Sequence, residues 1–245
     1  MQINKQYIEL LKSLTSINPS VLILRDGENN VTRMLNATKD IFYELIAPKS
    51  VFDFQGDDIG FFAFPEFHDL FSAFADSEVT SVDARKLKIK DTESGDSFTY
   101  STHERQYIKG TFKGIDLADT HFKFFMSDKM RANIKNRAGL ISADRINFVS
   151  NDDDTLKVTM VNSKTENDFS FNIGKTDVSP ENGHVMDVDS GMRTDLSVVF
   201  PSGIISKLPN GDYDVEVSNT GLITFTLKAE GIELIVRACS IDEGV

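Results

Sequence analysis

The chain has 245 residues, 40% of them apolar and 26% charged, which is the profile of a folded protein of one large or two ordinary domains and excludes a disordered chain. A net charge of −12 argues against a uniformly basic nucleic-acid binder, and the single cysteine, Cys239, excludes an internal disulfide and a structural zinc set. No stretch approaches the roughly 20 apolar residues that cross a bilayer as a helix, and the opening MQINKQYIELLKSL is broken by Lys, Gln and Glu, so the expectation is a cytoplasmic protein without a signal peptide or a membrane partner.

Residues 4–14 read as a helix, with Tyr7, Ile8, Leu10, Leu11 and Leu14 on one side and Lys5, Gln6, Glu9, Lys12 and Ser13 on the other. Asn18-Pro19 stops it, Val21–Leu24 forms a strand, and Thr32–Asn36 with Ile41–Ala47 forms a hairpin. Val51–Phe54 and Ile59–Phe64 flank a turn at Gly56-Asp57-Asp58. Pro65 then opens a helix over 65–76, with Phe67, Leu70, Phe71 and Phe74 inward. Strands follow at Val79–Val82, Leu87–Lys90 and Phe98–Thr102, and residues 104–120 read as a linker.

A second series begins with a strand at His121–Met126. Ser127 caps a helix over 128–140, where Asp128 suits the positive end of the helix dipole. Strands are expected at Arg145–Val149, Leu156–Val161, Phe169–Ile173 and Leu196–Phe200, with a polar loop at 175–191. Pro201–Leu208 supplies one or two helical turns. Tyr213–Ser218, Leu222–Ala229 and Ile232–Cys239 close the chain as strands joined by Asn219-Thr220-Gly221 and Glu230-Gly231, and Cys239 is expected to be a small buried hydrophobe.

Both halves read as helix, three strands, one more strand, a Pro-initiated helix and three strands, with Phe64-Pro65 and Phe200-Pro201 in corresponding places. The expectation is an α+β protein of two similar domains, 1–115 and 116–245, each with antiparallel sheets and two helices.

YIELLKSLTSINPSVLIL followed by TRMLNATKDIFYELI resembles the opening of the T4-type phage sliding clamps. The tail FPSGIISKLPNGDYDVEVSNTGLITFTLKAEGIELIVRA resembles the end of that family and of the eukaryotic and archaeal clamps. The resemblance covers most of the chain in order and texture rather than in an invariant motif. It implies a homotrimeric ring that threads duplex DNA, tethers a DNA polymerase as a processivity factor, and is opened by an ATP-driven clamp loader. It implies no cofactor, no metal and no catalysis, and it implies a hydrophobic pocket for a partner peptide that the residues do not locate. Phe98–Thr102 and Phe169–Ile173 are the candidate strands for ring closure.

Such a ring holds DNA through basic side chains on helix surfaces, by an attraction independent of base sequence. The helix over 128–140 carries Lys129, Arg131, Lys135 and Arg137 against Asp128, with Met130, Ile134, Ala138 and Ile141 as its buried stripe. Lys5, Lys12 and Lys207 complete the candidate DNA-facing set. The helix over 65–76 offers His68, Asp69, Ser72 and Asp76 and no Lys or Arg, which repels phosphate if it lines the hole.

Asp152, Asp153 and Asp154 read as a solvated turn, and His184 with Asp187 and Asp189 lacks a second histidine, so neither makes a metal site. The alternatives are a β-rich phage structural or assembly protein that oligomerises without touching DNA, and a monomeric single-strand binder. The first leaves Lys129 and Lys135 with no common direction. The second requires exposed aromatics beside basic residues.

Overall fold

The computed structural model describes residues 3–74, 77–111, 120–150, 156–173, 197–218 and 220–241. The acidic run 152–154, the polar loop 175–191 and most of the second half of the linker lie outside these residues. Two compact units divide the chain: Met1–Gly114 with Lys228–Ile235, and Ile115–Leu227 with Val236–Val245.

The first unit opens with α1 (Lys5–Leu14), capped by the Asn4 side chain, which accepts the Tyr7 N–H at 3.1 Å. Tyr7, Ile8, Leu11 and Leu14 are buried, as the spacing requires. Four antiparallel strands follow: β1 (Val21–Asp26), β2 (Asn29–Leu35), β3 (Ile41–Pro48) and β4 (Asp58–Phe61), arranged β4-β1-β2-β3. Then come α2 (Phe64–Ser72) and a three-stranded sheet of β5 (Ser77–Asp83), β6 (Lys86–Asp91) and β7 (Ser97–Ser101) in sequential order. Many of the phenylalanines fill this core. Phe61 lies 5.2 Å from Phe64 and 4.7 Å from Phe67, and Phe67 lies 5.3 Å from Tyr100, centroid to centroid.

Three expectations change here. Residues 52–54 form no strand: a 3-10 turn at Lys49–Val51 leads into them, and Phe52 and Phe54 drop into the core while Arg25 holds the Phe52 and Phe54 carbonyls. The second helix ends at Ser72, leaving Leu70 exposed and Phe74 outside the helix, 5.5 Å from Phe98. The first part of the supposed linker belongs to the unit. His103 and Gly60 exchange backbone hydrogen bonds at 2.7 and 3.2 Å, Gly110 O accepts from Leu35 N–H at 2.8 Å, and Ile108 is buried.

The second unit repeats the plan. After β8 (Thr120–Met126) come α3 (Asp128–Leu140), β9 (Arg145–Ser150), β10 (Leu156–Asn162), β11 (Asn167–Ile173) and β12 (Ser197–Pro201), arranged β12-β9-β10-β11. Next are α4 (Gly203–Lys207), β13 (Tyr213–Ser218), β14 (Leu222–Ala229) and β15 (Ile232–Cys239), of which Lys228–Ile235 counts with the first unit, and β8 is added on the free side of β13. The order β4-β1-β2-β3 thus recurs as β12-β9-β10-β11, and β5-β6-β7 recurs as β13-β14-β15. A small joint recurs as well: the loop after each first helix accepts a hydrogen bond from the start of the second, Pro19 O from Phe64 N–H at 2.9 Å and Asp144 O from Ser202 N–H at 3.0 Å.

Pro201 does not begin a helix, in contrast to Pro65. It ends β12 opposite Arg145, and the helix starts two residues later. Cys239 is exposed, because the inward positions of β15 are Ile232, Leu234, Val236 and Ala238 and the strand alternates.

Candidate nucleic-acid interface

In each unit the two helices pack together, α1 with α2 and α3 with α4. Ser127 caps α3 by accepting the Met130 N–H at 3.2 Å, and Asp212 Oδ1 accepts the Asp128 N–H at 2.7 Å. Met130, Arg131 and Ile134 are the buried residues of α3. At about 100° per residue, the opposite crest holds Lys129, Asn133 and Asn136, with Lys135 on one flank and Arg137 on the other; Lys129, Asn133, Lys135 and Asn136 are exposed. Arg137 is half-buried, its guanidinium 4.8 and 4.7 Å from the ring centroids of Phe169 and Phe171 on β11. That geometry suits a cation–π contact and leaves the charge in place. The side chain thus reaches β11, while the helix itself packs on β10. Lys207, half-buried, ends α4.

Arg131 is not on the helix surface. It is 4% exposed, and its guanidinium donates to Asp128 Oδ1 at 2.8 and 3.0 Å, to Asn210 Oδ1 at 2.6 Å and to Leu208 O at 3.4 Å. A planar fork with this many fixed acceptors is spent on tying α3 to the segment after α4. Gly211 N–H, first, and the Arg131 guanidinium beside it hold the Asp128 carboxyl below the usual carboxylate range. The Arg–Asp pair is neutral as a unit.

The helices of the first unit differ. Lys5 is exposed and Lys12 half-buried. Lys12 Nζ lies 3.6 Å from Asp69 Oδ1, and His68 sits between two carboxylates, Nε2 3.0 Å from Glu9 Oε1 and Nδ1 3.2 Å from Asp69 Oδ1. His68 and Lys12 together hold the Asp69 carboxyl below its ordinary range. Asp69 therefore does not stand bare: Lys12 of α1 lies beside it, and His68 bridges it to Glu9. Sequence reasoning placed Lys12 and Asp69 on outward faces and had no means to pair them, because the partners are 57 positions apart in the sequence and meet only when the helices pack.

Among the described residues no group of three or more His, Cys, Asp or Glu side chains is placed to hold a metal ion, and no helix is long and apolar enough to cross a membrane. The candidates Asp152–Asp154 and His184 with Asp187 and Asp189 lie outside the described residues.

No family model and no curated protein matches the chain. Solved structures do. The chain is similar to A. fulgidus PCNA, solved with the C-terminal region of FEN-1 bound, at 11% identity and a TM-score of 0.77, covering 100% of this chain and 98% of that one. It is similar to the Thermococcus kodakaraensis PCNA at 10% identity and 0.74, covering 97% and 96%, and to the proliferating cellular nuclear antigen of Entamoeba histolytica at 12% and 0.71, covering 96% and 94%. With the recurring sheet order, these likenesses establish that the chain has the two-domain α+β fold of the PCNA-type sliding clamps.

Proposed function

We propose that the protein is a DNA sliding clamp of the T4 phage type. It is a non-enzymatic processivity factor whose subunits close head-to-tail into a homotrimeric ring around duplex DNA. The ring is set on DNA by a clamp loader and tethers a DNA polymerase in the host cytoplasm. The observation that carries this reading is the likeness to solved clamps over essentially the whole of both chains, at 0.71 to 0.77, with each unit repeating the same strand order. One domain alone could be borrowed for many purposes; a full-length pair of such domains is what a ring of repeated units needs.

Two features support ring closure and DNA passage. β7 ends the three-stranded sheet and β11 ends a four-stranded one, and no described strand of this chain pairs with their outer edges. Unpaired edges template pairing with another chain, so β7 of one copy and β11 of the next make a closing, heterologous contact. Leu140, 83% exposed at the end of α3, is an apolar side chain left for a neighbouring copy to cover. Lys129, Lys135, Arg137 and Lys207 form the DNA-facing set on α3 and α4. They hold phosphates without reading bases.

The test is the native mass of the purified protein at several concentrations and moderate salt, followed by electron microscopy. Three times the subunit mass with a central hole is expected. A protein that stays monomeric at high concentration, and is not retained on nicked circular DNA when loader and ATP are supplied, would overturn the reading.

A further inference from the structure

The two helix pairs differ in the charge they present at their exposed crests. In the first unit the crest of α1 is Glu9 and that of α2 is Asp69, with side chains 65% and 75% exposed. Glu66 is exposed as well, so these helices hold two lysines against three carboxylates, with Lys12 drawn to Asp69 and His68 set between Glu9 and Asp69. In the second unit the crest of α3 is Lys129 flanked by asparagines, Lys135 and Arg137 stand to either side, and α4 adds Lys207. The one acid within these helices, Asp128, is taken up by Arg131 and the Gly211 N–H.

We propose that attraction for DNA phosphates is carried by the helices of the second unit alone, and that the helix pair of the first unit, with two lysines against three carboxylates, has no excess of positive charge with which to grip DNA. The inference rests on the clamp reading above. Its physical basis is range. At a separation near the Debye length, about 8–10 Å at ordinary salt, a lysine with a carboxylate beside it presents a dipole, whereas Lys129 and Lys135 present whole charges. An exposed pair of this kind adds little to stability, so its effect here is on the outward field. In a head-to-tail ring, attracting and non-attracting units alternate around the duplex. Fewer counterions are released on binding, and the ring is less firmly fixed to any one position.

The experiment uses the full-length protein and a fluorescent linear duplex of mixed sequence, onto which a closed ring threads from the ends. The readout is the slope of the logarithm of the association constant against the logarithm of salt concentration. At about 0.9 for each phosphate contact in duplex DNA, Lys129→Gln with Lys135→Gln lowers the slope by about 2 for every subunit in contact. Lys12→Gln with Asp69→Asn, which removes the pair together, leaves it unchanged. Glu9→Gln with Asp69→Asn, which releases Lys12, strengthens binding and steepens the slope. A loss from Lys12→Gln with Asp69→Asn equal to that from Lys129→Gln, or no gain from the paired neutralisation of Glu9 and Asp69, overturns the inference while leaving the clamp reading standing. A wild-type protein with no salt-dependent association with the duplex sinks both.

Discussion

Arg131→Ala separates a structural arginine from a DNA-binding one. The side chain is 5% exposed, and its guanidinium bonds Asp128, Asn210 and the Leu208 carbonyl, joining α3 to the segment that follows α4. Removing one partner of a buried, hydrogen-bonded ion pair costs about 3–5 kcal/mol. Asp128 recovers part of this, because it is 48% exposed and keeps the Gly211 N–H at 2.9 Å. The Leu208 carbonyl and Asn210 lose their charged donor, and the aliphatic stem of Arg131 leaves a gap. The expected net loss is about 2–3 kcal/mol, which lowers Tm by roughly 4–12 °C for a chain of this size. Urea denaturation followed by circular dichroism measures the loss, and a salt titration of duplex binding below the transition measures the rest. Arg131→Ala should weaken the fold and leave the salt slope alone, and Lys129→Ala should do the reverse. An unchanged denaturation midpoint with a shallower salt slope would mean that Arg131 reaches phosphate and that the burial argument is wrong.

Three further outcomes are expected. Leu140→Glu places a charge on an 83% exposed position of the proposed ring contact, so the native mass should fall from trimer to subunit with the denaturation midpoint preserved; an intact trimer would remove Leu140 from the contact. Gly60→Ala pushes a methyl to 2.7 Å from the His103 carbonyl oxygen and 2.9 Å from Ile108 Cγ1, and since the first is backbone the clash should cost about 1–3 kcal/mol, to be checked by thermal denaturation. Hydrogen bonds from the Ser163 hydroxyl and backbone N–H hold Asp144 below its ordinary pKa, as Gly211 N–H and then Arg131 do for Asp128. Depressed folded-state values mean stability that is complete above the unfolded pKa of about 3.9 and lost as pH falls through the folded value, so the denaturation midpoint should drop below about pH 4. Asp144→Asn should flatten that drop, and an identical acid profile in the variant would exclude Asp144 as a source.

The local sequence determined the repeated order of elements, because each element carries its own signal. Apolar spacing marks α1, Ser127 marks the start of α3, Pro65 marks the start of α2, and Gly-containing turns separate the closing strands. In the structure β6 buries alternate residues, Leu87, Ile89 and Asp91, and β10 buries Leu156, Val158 and Met160. Those signals do not fix the margins, as with Phe74 and residues 52–54, where the neighbouring layer decides which side is buried.

What only the tertiary structure decided is which charges are spent and which remain. Arg131 and Lys129 are two residues apart and chemically alike as sequence, yet about 200° of helix rotation puts one against the Leu208 carbonyl and the other toward solvent. Lys12 reads from the sequence as one more outward lysine, and only the packing of α1 on α2 sets Asp69 beside it. A composition or a period reports each residue against its own chain neighbours. The field that a phosphate meets is a sum over residues far apart in sequence, and folding alone sets the distances in that sum.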